Sequence, residues 1–196
     1  HTSKKKCILP KLIIDNAELE HVKQFDFLGL TLDENLSWTN HINKVHSKLS
    51  RASGILNRLK NIVPQHTKLT IYNSLVLPHL NYSILCWGNK GNLLDKVQKK
   101  TVRAICNSKY NAHTNPLFKR LNLLKINDIY RLYVYKFYFN YLHEDLPANL
   151  LNLRINRNDE LRNYTLRNDD NLYIPRVKHE FARNSISYVL PCLLNV

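Results

Sequence analysis

From Ser37 onward the apolar residues of this chain settle into helical spacing, and that constrains its fold more than any other feature. Ile42, Val45, Leu49, Ala52, Leu56 and Leu59 recur at intervals of three or four, which places them on one face of an α-helix. Ser37 offers a hydroxyl to cap its start. Lys44, Lys48, Arg51 and Arg58 fall on a neighbouring band of the same helix. Pro64 suits the first turn of a second helix, with Leu69, Tyr72, Leu75 and Val76 facing inward,. Pro78 must kink or end it, because proline lacks the N–H and clashes with the preceding turn. The stretch from Leu80 to Trp87 is apolar, and Gly88 with Gly91 marks a turn.

The sharpest polarity lies between Leu93 and Cys106. At roughly 100° per residue, Leu93, Leu94, Val97, Thr101 and Ile105 share one arc, while Lys96, Lys99, Lys100 and Arg103 share the opposite one. The first arc has to be packed, and the second is free to meet phosphate or to lie in water. Asn115-Pro116 starts a short helix through Leu121, and a longer helix is expected from about Asn127 to Tyr141. Tyr130, Tyr133, Tyr135, Phe137, Tyr138, Phe139 and Tyr141 leave that helix almost no sector without a ring. Burial between neighbours is the favoured reading, and stacking platforms for bases are the other.

The ends of the chain differ from this helical block. Lys6 to Leu9 and Lys11 to Ile14 read as short strands, Asp15-Asn16 as a turn, and Phe25 to Leu32 as a third strand in which Gly29 permits a bulge or close backbone approach,. After Leu146-Pro147 the periodicity weakens. Residues 152–171 read as an exposed polar connector, and Tyr173 to Leu190 fits either strand or helix,. The fold class expected is mainly α, a helical bundle preceded by short strands.

The formal net charge is +14. Residues 36–136 carry 17 Lys/Arg against only Asp95 and Asp128, so the whole excess sits in one block. Such a block concentrates a polyanion and neutralises phosphates. Cys7, Cys86, Cys106 and Cys192 are too widely spaced for a zinc knuckle or a compact disulfide framework, and read as buried free thiols in a reducing compartment,. No apolar run approaches the ~20 residues of a membrane span. The chain holds no Met and opens on His1-Thr2-Ser3, so it reads as a piece of something longer.

Phosphoryl-transfer chemistry needs carboxylates converging on Mg²⁺. The adjacent acids Asp33-Glu34, Glu144-Asp145, Asp159-Glu160 and Asp169-Asp170 sit in turn-like or polar stretches rather than between apolar strands. His41 and His46 have no His or Cys nearby at ligand spacing, and the chain carries no nucleophile elbow, phosphate-binding glycine loop or Cys-x-x-Cys,. The residues alone point to no active site and no metal site.

An ordered series of motifs is informative. Val22-Lys23-Gln24-Phe25-Asp26-Phe27-Leu28-Gly29-Leu30-Thr31-Leu32-Asp33 precedes Leu36-Ser37-Trp38-Thr39-Asn40-His41-Ile42. Pro78-His79-Leu80-Asn81-Tyr82, Trp87-Gly88, Leu94-Asp95-Lys96-Val97-Gln98-Lys99-Lys100 and Pro116-Leu117-Phe118 follow, with Tyr164-Thr165-Leu166-Arg167, Pro175-Arg176 and Ser185-Ile186-Ser187-Tyr188 in the tail. The series resembles the region from the primer grip through the thumb and beyond in non-LTR (LINE-type, jockey-like) retrotransposon reverse transcriptases. Asp26 stands where that family often carries Lys or Arg, and Leu194-Asn195 where Trp-Asn is usual.

The resemblance implies four segments: residues 1–36 as palm-end strands with a primer-grip-like hairpin, 37–110 as thumb-like helices, 111–150 as a buried aromatic helical segment, and 151–196 as a polar connector and tail. The strands would belong to an incomplete palm sheet. Phe27, Leu28 and Gly29 would form the primer-grip-like hairpin. Lys44, Lys48, Arg51, Arg58, Lys96, Lys99, Lys100 and Arg103 would bind nucleic acid. The implied function is a non-catalytic C-terminal segment of an RNA-directed DNA polymerase that positions primer-template during reverse transcription. Its partners would be an RNA template and DNA primer or their hybrid, with the upstream palm and fingers of the same polypeptide and no membrane. No cofactor is expected in this chain, Mg²⁺ belonging to the parent's palm, and the chain alone is expected to be inactive. The resemblance implies an intracellular setting, nucleus or cytoplasm, for the parent element. The other reading is an independent basic helical protein, derived from such an element, that binds nucleic acid or another protein.

Overall fold

The computed structural model describes residues 11–153, 155–161, 167 and 169–195. Cys7, the strand expected at Lys6 to Leu9, and Tyr164-Thr165-Leu166 lie outside them. The described chain is mainly helical, with two separate two-stranded antiparallel sheets.

The first sheet pairs β1 (Ile13–Ile14) with β2 (Ala17–Glu18) across the expected Asp15-Asn16 turn. Both turn residues have positive φ, 49° and 63°, the backbone twist that suits a two-residue hairpin. The second pairs β3 (Gln24–Phe27) with β4 (Leu30–Asp33). Here the single strand expected from Phe25 to Leu32 folds back on itself. Leu28 and Gly29 form the turn, with φ of 48° and 79°. Gly29 adopts that conformation without steric cost, whereas Leu28 is held there by the Tyr82 hydroxyl, which donates to its carbonyl.

β4 is the strand that meets the helices. Thr31 is buried; its N–H donates to His41 Nδ1 at 3.3 Å and its hydroxyl to Asp26 Oδ1 at 2.7 Å. The Asp33 carboxylate then takes the Asn35 and Ser37 N–H groups at 3.1 and 3.0 Å and the Ser37 hydroxyl at 2.9 Å. Burial opposes the charge of Asp33, but these donors hold its pKa below the ordinary carboxylate value,. Ser37 stands one residue outside the capping position, although its Oγ still accepts the Thr39 N–H at 3.3 Å. Trp38 occupies it instead, at φ 64°, and α1 runs Thr39–Arg58.

The helices that follow are α2 (Gln65–Leu75), α3 (Leu77–Asn81), α4 (Ile84–Trp87) and α5 (Asn92–Ile105). Next come α6 (Asn115–Leu121), α7 (Ile126–Leu142), α8 (Ala148–Leu151), α9 (Glu180–Arg183) and α10 (Ile186–Leu194). As expected, α2 gives way to a separate helix at Pro78. The main contact is α1 against α5. Ile42, Val45, Leu49, Ala52 and Leu56 of α1 are buried there, as are Leu94, Val97, Thr101, Val102 and Ile105 of α5. Leu93 and Leu75, expected inside, are 40% and 43% exposed. Lys68 and Gln98 are buried in the interior, each with hydrogen-bonding partners.

Close packing fixes Gly88, because a Cβ there would stand 2.5 Å from Tyr130 Cδ2 and 2.7 Å from Ile84 Cγ1. The aromatic helix α7 lies at the edge of the core, so burial holds on one side only. Ile126, Ile129, Tyr130 and Val134 are buried, while Leu132, Tyr135, Phe139 and Leu142 are exposed. Among the described residues after Pro147, some of the expected polar connector is paired and buried. Arg157 pairs with Leu172 in an antiparallel bridge, and Leu172 and Asn158 are buried. Asn195 holds that bridge: its Oδ1 accepts the Leu172 N–H at 2.9 Å and its Nδ2 donates to the Leu172 carbonyl at 2.7 Å. Tyr173 to Leu190 resolves into an extended start followed by α9 and most of α10. Cys86, Cys106 and Cys192 are free thiols, but Cys86 is exposed and the other two half-buried, because each lies at the margin of a buried face.

Candidate nucleic-acid interface

The four basic residues of α1 lie on one flank of that helix. At roughly 100° per residue, Lys44, Lys48, Arg51 and Arg58 fall at about 260–340° from His41. The buried face centres near 60°. His46, Ser50, Ser53 and Asn57 fall at about 120–180°, and they line two recesses shared with α5. The α1 cations therefore lie on the flank away from α5. Lys48 sits near α3, where its charge, after burial, helps lower the pKa of His79.

The basic residues of α5 face the other flank. Lys96 and Lys100 join His46, Ser50 and Ser53 around a recess of about 310 Å³. Lys100 also borders a second recess of about 480 Å³, with Asn57, Lys60, Arg103 and Tyr110. Seven of the eight expected cations, all but Lys99, are thus brought to two flanks of α1 rather than to one patch.

Two of the eight are engaged with carboxylates. Lys44 pairs with Asp26 at 2.8 Å, and Lys99 with Asp95 at 2.5 Å one turn earlier on α5. The Lys44 ammonium, with the Thr31 hydroxyl, holds the Asp26 carboxyl below its ordinary pKa. Asp26 therefore works locally, joining β3 to α1, at a position where a basic residue was the expected one. Arg51 turns Nε back to the Ser47 carbonyl at 3.4 Å, and Arg103 donates Nε to the Ala112 carbonyl at 2.9 Å. Among the described residues, no acid pairs with Lys48, Arg51, Arg58, Lys96, Lys100 or Arg103.

Phe27, Leu28 and Gly29 come together at the tip of the β3–β4 hairpin. Phe27 is 53% and Leu28 73% exposed, and the Tyr82 ring lies 3.7 Å from where a Gly29 Cβ would stand. Tyr82 is thereby the residue that positions the tip. Behind it, His41 is buried between Trp38 and Trp87, at centroid distances of 6.2 and 5.7 Å. Burial, then the charges of Lys44 and Lys48, lower its pKa, and its Nδ1 accepts the Thr31 N–H.

Sequence reasoning missed the polar row His46, Ser50, Ser53 and Asn57, together with Lys60 and Tyr110. Their spacing of four, three and four along α1 was a usable signal, since it marks a second, polar face beside the apolar one. Nothing in the sequence marked Tyr110, whose 90% exposure is a tertiary property. Among the described residues, no three His, Cys, Asp or Glu side chains gather to hold a metal ion, and no helix is long and apolar enough to cross a membrane.

No protein-family model and no solved structure matches the chain. Three curated proteins do. The RNA-directed DNA polymerase from mobile element jockey of Drosophila melanogaster is 25% identical over 127 residues, 61% of this chain. Its Drosophila funebris counterpart is 28% identical over 126 residues, also 61%. The probable RNA-directed DNA polymerase from transposon BS of Drosophila melanogaster is 25% identical over 123 residues, 59%. The match spans 14% of the length of each relative. The resemblance carried by the motifs and these matches agree: over about 60% of its length this chain is similar to the RNA-directed DNA polymerases of the jockey and BS elements.

Proposed function

We propose that this chain is a non-catalytic, nucleic-acid-gripping segment of a reverse transcriptase, its helices acting as a thumb. In this reading the β3–β4 hairpin borders a palm sheet supplied by the rest of the polypeptide, and its Phe27-Leu28-Gly29 tip lies near the primer terminus. Lys48, Arg51 and Arg58 on one flank of α1, with Lys96, Lys100 and Arg103 on the other, hold an RNA–DNA hybrid through its phosphates. Mg²⁺ and the carboxylates that bind it belong to the upstream palm, and no step through the metal is assigned to residues of this chain.

The observation that carries the reading is the set of six cations without acid partners, flanking one helix of a chain related to RNA-directed DNA polymerases. Each phosphate neutralised releases condensed counterions, so affinity falls with salt by roughly one unit of logarithmic slope per contact. Binding of a hybrid duplex, titrated from about 50 to about 300 mM salt, tests it. The parent should bind unrelated sequences about equally, with a steep slope. Lys48→Gln with Arg58→Gln, and separately Lys96→Gln with Lys100→Gln, should each weaken binding and flatten the slope. Curves that superimpose on the parent's for both pairs would remove these flanks from the duplex.

A further inference from the structure

We propose that the seam between α1 and α5 is a track for a single strand of nucleic acid, with Tyr110 stacking an unpaired base at its far end. The proposal rests on the nucleic-acid reading above: the cations that hold the hybrid's phosphates on this flank also hold those of an unpaired strand, while Ser53 and Tyr110 serve the strand alone.

The two recesses beside α5 share Lys100, which makes them neighbours along one seam. Their α1 wall runs from His46 to Asn57, about 16 Å of helix at 1.5 Å per residue. That matches the axial rise of about five nucleotides in a stacked strand. Neither recess is lined by an acidic side chain. Among the described residues, Lys96 and Lys100 have no ion-pair partner, and Arg103 uses only Nε on the protein, at the Ala112 carbonyl. Its two terminal nitrogens remain to fork onto a phosphate.

Two further features point to a ligand. Ser53 is 1% exposed and lines the first recess, yet its Oγ has no hydrogen-bond partner. A buried hydroxyl left without a partner requires an explanation, and a phosphate oxygen drawn in by Lys96 and Lys100 would accept its proton. Tyr110, at the second recess, is 90% exposed. A ring so exposed contributes little to the core, but its free face beside Lys60, Lys100 and Arg103 provides a stacking surface next to phosphate-binding cations. Internal bases of a duplex have both faces covered, so only an unpaired or terminal base reaches this ring. The volume of the second recess, about 480 Å³, lies within the range of small-ligand pockets.

The test uses the whole chain and two labelled probes, an oligothymidine strand of roughly 15 nucleotides and a duplex of similar length whose two ends are closed by hairpin loops of non-nucleotide linker. Tyr110→Ala should weaken strand binding by about fivefold or more and leave duplex binding within about twofold. Tyr110→Phe keeps the ring and should bind the strand like the parent. Ser53→Ala should weaken the strand and not the duplex. Circular dichroism of each variant should match the parent. The seam assignment falls if both Tyr110→Ala and Ser53→Ala bind the strand as the parent does, or if duplex binding drops as far as strand binding. In either case a parent that still grips the hybrid leaves the thumb-like reading standing. A parent that binds neither probe nor the hybrid at low salt overturns both.

Discussion

The side chains of Gln98 and Tyr72 meet at 2.9 Å, both closed off from solvent, with the amide N–H donating to the phenol oxygen. The same nitrogen donates to the Leu124 carbonyl at 2.9 Å, and Oε1 accepts the Ile126 N–H at 2.9 Å. One side chain thus joins α2, α5 and the start of α7. Burial pushes the Tyr72 pKa up, and the Gln98 bond works against that rise.

Gln98→Leu keeps the volume but leaves the buried Ile126 N–H and the buried Tyr72 hydroxyl without their partner. The expected loss is about 2–4 kcal/mol, read as a lower urea midpoint at unchanged slope. A loss under about 1 kcal/mol would show that other groups take over these bonds.

Stability should decline on mild acidification through His41. Its pKa in the folded chain lies below the ordinary 6.5, so the unfolded chain binds the proton first. The contribution is complete above 6.5, shrinks as pH falls from there towards the folded value, and is then gone. His79 is shifted the same way, so two variants are needed. Melting temperatures between about pH 7 and about pH 5 should lose part of their pH slope in His41→Asn and part in His79→Asn. A slope unchanged in His41→Asn would dismiss the buried imidazole as its source.

Gly88→Ala should cost about 1–3 kcal/mol, because the added methyl runs into the Tyr130 ring and an Ile84 carbon and the core must shift to admit it. Gly54→Ala is the matched control, since nothing lies within 4 Å of a Cβ there. Replacing that helical glycine should stabilise by about 0.5–1 kcal/mol. Chemical denaturation of the two variants checks both signs.

Helix positions were legible in the sequence, and burial was less so. Ile42, Val45, Leu49, Ala52 and Leu56 announce the face of α1 because a 3.6-residue repeat is local information. The asymmetry of α7 is not local. Its rings read as uniformly apolar, and only the packing of Gly88 on Tyr130 shows which side the core takes. The basic residues were found one by one, but their division between two flanks depends on where α5 lies. The resemblance implied a hairpin at Phe27-Leu28-Gly29, but the residues alone read as one strand, because a leucine at positive φ breaks the usual turn chemistry and Tyr82, 54 residues away, supplies the contact that holds the turn.

That contact predicts a hierarchy of opening. The β1–β2 amides should exchange fastest, because every residue of that hairpin is exposed, whereas β4 is tied to α1 through Thr31. Tyr82→Phe removes the hydroxyl at the turn and should raise exchange in β3 and β4 by roughly fivefold, the equivalent of about 1 kcal/mol, with α1 unchanged. Equal acceleration across α1 would mean that hairpin and helix open as one unit.

Lys68 gives the loops at the far end of α1 and α5 a shared mechanical fate. Its buried ammonium bridges the Lys60 carbonyl at 2.9 Å and Asn107 Oδ1 at 2.5 Å, while Lys60 reaches the Ser108 carbonyl at 3.0 Å. Each loop is thereby riveted to the other, and neither can swing alone without stranding a charge away from water. Lys60 and Ser108 also border the recess proposed for the strand, so a ligand there would meet walls already tied to each other and forfeit less entropy than in an untied cleft.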